Sequence, residues 1–300
     1  MKKKVLVILG PTATGKSALA VSLALSFNGE IISADSRQVY KGLDIGSGKI
    51  TKEEMMGIQH HLIDIVDPKK RFTVVDFQKV AREKISEIFS RGNIPIICGG
   101  TGFYIQSLVD NVIFPEVQPD KRLREKLNRK TAPVLLKMLT KLDPKKAKSI
   151  DKNNKRRIIR SIEIAKTLGK VPKMKNGKVD NLKFIEIGID LPDDILKKRI
   201  EKRLLDRLNR GMVDEVRNLY RKGLSWKKLD SFGLEYRFVS LFLQNKISHE
   251  QMVESLKKEI WQFVRRQRTW FRRNKRIKWF VPTDIEEIDK YISKKYDQVD

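Results

Sequence analysis

Gly10-Pro11-Thr12-Ala13-Thr14-Gly15-Lys16-Ser17 fits a G-x-x-x-x-G-K-[ST] pattern, the spacing with which a backbone wraps a phosphate. The glycines allow successive N–H groups to point at one anion. A helix opening at this point would add the positive end of its dipole. Lys16 contributes a point charge, and Ser17 a hydroxyl suited to Mg2+. Asp35 follows the apolar run Glu30–Ala34. A carboxylate at the carboxyl end of a strand beside such a loop can act as a general base, or it can merely cap the Asp35-Ser36 turn, and position alone leaves both open. Gly99-Gly100-Thr101-Gly102 ends another apolar run, where Thr101 can reach a phosphate or a base, or simply stand in a turn. His60-His61 reads as a structural pair, because neighbours on an extended segment point to opposite sides and no third ligand lies near.

These residues need elements to hold them. Val5–Leu9 is a run of strand formers apolar on both faces, as a central parallel strand requires. A helix over Ala18–Phe27, a strand over Glu30–Ala34, an amphipathic helix over Val74–Phe89 and a strand over Ile94–Cys98 follow. That rhythm predicts a P-loop NTPase-like α/β fold, a parallel sheet flanked by helices. Near Pro115 the character changes. Pro119–Arg129, Thr131–Leu142 and Asp151–Leu168 read as basic helices, and Gly169–Asn181 as a Lys-rich loop. Phe184–Ile189 returns to strand, Asp193–Tyr220 and Ser248–Phe271 read as long helices, and Lys278–Val281 as a last strand. The expected organisation is a core of residues 1–112 and 183–300 with a basic all-helical insertion at 113–182.

The net charge of +27 points to a polyanionic partner, and most of the excess falls after residue 110. The single cysteine, Cys98, excludes an internal disulfide and reads as a buried thiol in a reducing, cytoplasmic compartment. No apolar run approaches the roughly 20 residues of a membrane span. Lys16 and Ser17 without an acid closing the Ile94–Cys98 strand depart from motor-type NTPases. Arg156, Arg157 and Arg160 cluster on one helix, and Arg265-Arg-Gln-Arg-Thr-Trp-Phe-Arg-Arg273 mixes guanidinium with aromatics. The arginines suit RNA, whereas Trp270 and Phe271 suit a core.

Together these segments resemble the bacterial tRNA dimethylallyltransferase (tRNA isopentenyltransferase) family. The likeness lies in Gly10–Ser17, Asp35-Ser-Arg-Gln-Val-Tyr-Lys-Gly-Leu-Asp-Ile-Gly46, His60–Ile65, Gly99–Tyr104, Arg157–Glu163, Arg203–Val216 and Arg266–Phe271, in the family's order. The resemblance implies transfer of a dimethylallyl group from its diphosphate to N6 of adenosine 37 of tRNA, with Mg2+ assisting and diphosphate leaving. It implies that Gly10, Pro11, Thr12, Ala13, Thr14, Gly15, Lys16 and Ser17 hold the donor's diphosphate, with Ser17 toward the metal. Asp35, Thr101 and Arg203 would be the catalytic groups. Asp35, Ser36, Arg37, Gln38, Thr101, Arg156, Arg157, Ile158, Ile159 and Arg160 match segments that touch tRNA. The insertion and core would grip the anticodon stem-loop, and the protein would act as a monomer, without a membrane. Phe232-Gly-Leu-Glu-Tyr-Arg237 departs from the family's Ile-Gly-Tyr-Lys-Glu-like stretch. The competing readings are a small-molecule P-loop kinase, a prenyltransferase acting on free adenylate, and a non-catalytic RNA-binding protein.

Overall fold

The computed structural model describes residues 2–177 and 181–298. Six strands form one parallel sheet in the order β3-β2-β4-β1-β7-β8, from β1 (Lys3–Leu9), β2 (Gly29–Ser33), β3 (His60–His61), β4 (Ile94–Gly99), β7 (Leu182–Ile189) and β8 (Lys278–Phe280). Two short strands, β5 (Val112–Ile113) and β6 (Lys175–Asn176), pair antiparallel on their own. The helices are α1 (Lys16–Ser26), α2 (Lys52–Met55), α3 (Val74–Ser90), α4 (Gly102–Val109), α5 (Lys121–Asn128), α6 (Ala132–Leu142), α7 (Pro144–Ser149) and α8 (Lys155–Leu168). After β7 come α9 (Asp193–Asn209), α10 (Met212–Arg221), α11 (Trp226–Asp230), α12 (Leu234–Leu243), α13 (His249–Phe271) and α14 (Ile285–Asp297).

The two-residue period of a strand explains why β1 has no polar face. Val5, Val7 and Leu9 pack toward α3 and α4, and Leu6 and Ile8 pack toward α1 and α14, all at most 1% exposed. Burying each such side chain contributes about 1.5–3 kcal/mol. With β4 on one side of β1 and β7 on the other, the chain reverses its direction of sheet building at β1. The crevice of such a sheet opens at the carboxyl ends of the strands, where Gly10 follows Leu9.

The chain divides into two compact units, Met1–Asp110 with Val179–Asp300, and Asn111–Lys178. The second unit is shorter at its end than the 113–182 read from the sequence, because β7 already begins at Leu182. Its own core is Leu127, Leu135, Leu139, Ala147, Ile150, Ile158, Ile159 and Ile162. Glu163, 2% exposed, is its electrostatic hub: it accepts from both Arg124 and Arg160 and from Asp120 N at 2.7 Å. The segment read as a loop holds β6, and its residues 178–180 lie outside those described.

Two readings of the later chain are corrected. Asp193–Tyr220 is two helices, because Gly211 adopts φ +91° and turns the chain between α9 and α10. Residues 226–243, left unassigned by periodicity, form α11 and α12. Their buried Leu229, Phe232 and Tyr236 join Leu196, Ile200 and Leu204 of α9 in one core cluster.

Candidate active site

The loop Gly10–Ser17 joins β1 to α1, and its backbone calls for glycine at Gly10 and Gly15. Gly10 has φ +152°, and a Cβ there would stand 2.2 Å from Ile189 O. Gly15 takes φ +94° at the N-cap of α1, and Ala13 φ +65°. Thr14 is fully buried and donates its hydroxyl to Pro11 O at 3.0 Å, so it shapes the loop from inside. Lys16 Nζ donates to the same carbonyl at 3.0 Å. Burial lowers the Lys16 pKa; Arg203 adds to the fall, while Cys98 and Asp35 oppose it. Asp35 and Arg203 therefore both act electrostatically on the loop lysine. Ser17 is exposed at the first turn of α1.

Asp35 does cap its turn, one of the two roles its position allowed. Its Oδ1 accepts from Arg37 N at 2.8 Å and Gln38 N at 3.4 Å, which caps the turn. Its Oδ2 has no hydrogen-bond partner among the described residues, and the side chain is half-buried. One oxygen holds the turn while the other stays available to accept a proton.

Gly99-Gly100-Thr101 locks against this turn. A Cβ on Gly99 would meet Ala34 O at 2.3 Å, so the two chains touch backbone to backbone. Thr101 N donates to Ala34 O at 3.2 Å, and Thr101 Oγ1 accepts from Ser36 N at 3.1 Å. That leaves the Thr101 hydroxyl proton to donate elsewhere. Gln267 of α13, 6% exposed, completes the frame: its Oε1 accepts from Thr12 N at 3.0 Å, and its Nε2 donates to Gly100 O at 2.9 Å. One amide thus ties the Gly10–Ser17 loop to the glycine turn, and Thr101 ties that turn to the backbone on either side of Asp35.

The positive wall comes from α9. Arg199, Arg203 and Arg207 recur every fourth residue and so share one face. Arg199 Nη1 lies 3.7 Å from where a Cβ on Gly15 would stand. Arg203 Nη2 lies 3.3 Å from the same point on Gly48, with Arg207 closer still. Desolvation and the neighbouring Arg207 charge push the Arg203 pKa down to about 10, which leaves it cationic at neutral pH. Arg207 is tied to Glu235 at 3.2 Å. Glu215 holds the facing loop by accepting from Asp44 N, Ile45 N and Gly46 N at 2.9, 2.6 and 3.0 Å. The buried Tyr236 of the divergent stretch donates to Glu215 at 2.9 Å, so Phe232–Arg237 buttresses this loop.

Several expected contacts need correcting. Ile158 and Ile159 are 0% and 5% exposed in the core of the helical unit, so their side chains are unavailable to an RNA. Arg160 is engaged by Glu163 and by Val117 O at 2.8 Å, whereas Arg156 and Arg157 are exposed. Gln38 is used at both ends, accepting from Ser33 Oγ at 3.1 Å and donating to Gly48 O at 3.2 Å. Arg268 is not a free cation: it donates to Asp190 Oδ1 at 3.0 and 2.9 Å and to Leu191 O at 2.6 Å. Phe271 is buried in the core and Trp270 is half-buried against it, as their type suggested. His61 pairs with Glu30 at 2.6 Å and His60 with Ile58 O at 2.8 Å. Among the described residues no group of three His, Cys, Asp or Glu side chains could hold a metal. Gln267 and Arg199 escaped the sequence reading. The four-residue arginine period was the available signal for Arg199, and nothing local marked Gln267.

A parallel sheet with the Gly10–Ser17 loop at its switch point, a carboxylate beside it and arginines opposite define a P-loop-like α/β protein. A family model described as IPP transferase matches residues 38–274. The chain belongs to this family. The match begins after Gly10–Ser17 and Asp35, so those rest on the geometry above. A tRNA dimethylallyltransferase 1 of Syntrophus aciditrophicus is 41% identical over 295 residues, covering 96% of this chain and 97% of that one. A crystal structure of a full-length tRNA isopentenylpyrophosphate transferase from Bacillus halodurans superposes with a TM-score of 0.75 at 37% identity, covering 98% and 97%. A eukaryotic dimethylallyltransferase acting on tRNA gives a TM-score of 0.76 at 27% identity, covering 98% of this chain and 77% of that one. No helix among the described residues is long and apolar enough to cross a membrane.

Proposed function

We propose that the protein transfers the dimethylallyl group of dimethylallyl diphosphate to N6 of adenosine 37, beside the anticodon of tRNA, releasing diphosphate. The observation that carries this is the single frame that Gln267 and Thr101 make of the phosphate-binding loop and the Asp35 turn. A small-molecule kinase would also use an acid near its second strand, but it would not need the basic helical insertion or the Arg-rich later half of the chain.

As the allylic C–O bond breaks, negative charge grows on the departing diphosphate. Lys16, the loop amides and Arg203 meet that charge in place, with no reorganisation at the moment of reaction. The new C–N bond forms from an amine whose lone pair is delocalised into the ring. Asp35 Oδ2 takes the amine proton as the bond forms, a contribution of about 10²–10⁴-fold. Thr101 donates its hydroxyl toward the same centre. The adenine leaves its stack at a cost of a few kcal/mol, least in a loop.

Mg2+ fits the donor set. Ser17 offers one exposed hydroxyl, and this cation keeps several waters and takes substrate phosphates in preference to an all-protein cage. When bound it would neutralise diphosphate charge. Ser36, Arg37 and the exposed Arg156 and Arg157 would meet the RNA of the anticodon arm. A tRNA substrate supports a cytoplasmic location, and a net charge of +27 disfavours self-association, which supports a monomer.

Asp35→Asn is the sharpest test, because the amide keeps an oxygen for the turn and loses the base. With labelled dimethylallyl diphosphate and total tRNA, turnover should fall about 10²–10⁴-fold. The tRNA dissociation constant should stay within roughly threefold, the range of ordinary surface changes. Turnover near that of the unaltered protein would remove Asp35 from the chemistry.

A further inference from the structure

Arg37, Arg71 and Lys228 converge on the core unit beside the Asp35 turn, and the mechanism above uses neither Arg71 nor Lys228. Lys228 is fixed in place: its Nζ donates to Lys70 O at 2.9 Å and lies 5.1 and 5.8 Å from the ring centroids of Phe232 and Tyr40. The Tyr40 hydroxyl accepts from Phe72 N at 3.1 Å, which pins the backbone next to Arg71. Arg37 arrives from the Asp35 turn, its Nε 3.5 Å from where a Cβ on Gly233 would stand. Among the described residues, neither Arg37 nor Arg71 makes a side-chain hydrogen bond or an ion pair, and Lys228 pairs with no carboxylate. Burial and the charges of Arg37 and Arg71 lower the Lys228 pKa, with Asp67 opposing them.

Like charges on adjoining segments, Lys228 bonded to Lys70 O next to Arg71, repel one another, and an anion seated among them relieves the repulsion. Further basic and aromatic groups lie on the neighbouring segments. Lys69 Nζ stands 3.8 Å from the Cβ position of Gly223. Tyr220, 44% exposed, stacks on Trp226 at 3.9 Å and 11°. Cations together with a half-exposed aromatic pair suit a nucleic-acid strand better than a lone small anion.

We propose that Arg71 and Lys228, with Arg37, hold a backbone phosphate of a tRNA nucleotide adjoining the adenosine that faces Asp35. This rests on the function proposed above and adds to it the place where the flanking RNA backbone is gripped. Arg71 and Lys228 act through position, and the reacting atoms are left to Asp35.

The test is the salt dependence of tRNA binding by the full chain, unaltered and as Arg71→Gln with Lys228→Met, the latter keeping the apolar stem. Each phosphate contact contributes about 0.7–0.9 to the slope of log affinity against log salt. The double variant should bind roughly 5- to 8-fold more weakly near 0.1 M salt, with a slope shallower by about 0.7–0.9. The KM for dimethylallyl diphosphate should not move. Lys290→Gln with Lys294→Gln, exposed on α14, is the comparator and should keep the original slope. Arg71→Gln alone disturbs no contact in the fold and gives the same reading, at about half size, should Lys228→Met lower the melting temperature. Unchanged affinity and slope, or an equal loss in the comparator, would overturn the proposal. Product formation by the unaltered protein is read separately: binding with a steep slope but no prenylated nucleoside would sink the function and leave the phosphate contact standing.

Discussion

Gln267 is the residue whose removal should separate scaffold from chemistry most clearly. Its amide makes two hydrogen bonds, 3.0 Å from Thr12 N and 2.9 Å to Gly100 O, from a side chain 6% exposed. Each is worth about 1 kcal/mol net, and a buried partner left unpaired costs about 1–3 kcal/mol. Thr12 N lies at the mouth of the loop and Gly100 O beneath it, so Gln267→Met should destabilise the protein by roughly 2–4 kcal/mol. At about 2–4 °C per kcal/mol for a unit of this size, the melting temperature should fall by roughly 5–15 °C. If about 1–2 kcal/mol of that is loop order needed to bind diphosphate, the KM for dimethylallyl diphosphate should rise about 5- to 30-fold. Gln267→Glu sharpens the case. It retains an acceptor for Thr12 N, sets a carboxylate against Gly100 O and adds a negative charge beside the diphosphate. Its KM should therefore rise more than that of Gln267→Met. Calorimetry with steady-state kinetics on both variants decides the matter. Melting within about 2 °C of the unaltered protein, with unmoved KM in both, would refute the idea that this amide holds the two loops together.

Three further outcomes follow from single contacts. Glu30 sits against Arg91, Asn93 and His61, and these partners hold its pKa down to about 2, with burial opposing. A carboxylate depressed in the folded state stabilises the protein above its unfolded pKa of 4.5 and loses that contribution as pH falls toward 2, so up to about 3 kcal/mol should vanish over that window. Glu30→Gln should flatten the acid limb of a melting-temperature profile, and an unchanged limb would count against the cluster. Burial pushes the Cys98 thiol up to about 11, so alkylation of the native protein at pH 8 should run about a hundredfold slower than in the unfolded chain. Comparable rates would mean the thiol is open to solvent. Gly99→Ala should cost several kcal/mol in a urea titration, since its methyl would stand 2.3 Å from Ala34 O and both backbones are pinned within the sheet.

The legible part of this protein was the part written in short spans. Gly10–Ser17 could be read because its glycines, lysine and serine answer to one local geometry, and φ +152° and +94° at Gly10 and Gly15 are that geometry realised. The unbroken apolar run of Val5–Leu9 announced a strand covered on both sides, and the alternation of strands and helices announced a parallel sheet. Periodicity failed at Gly211, where one left-handed residue splits a continuous pattern, at α11, which is only five residues long, and at α12, which is apolar at most positions.

Tertiary structure alone decided which polar side chains are free to act. Gln267 reaches Thr12 across 255 positions, and no local pattern marks a contact that distant. Asp35 keeps one oxygen free only because its other oxygen caps the turn. Arg268 is consumed by Asp190 while Arg71, equally basic in sequence, has no ion-pair partner among the described residues. Local propensity and spacing fix which elements form. Whether a charge is neutralised, buried or left facing solvent depends on residues that approach only once the sheet and its helices have packed.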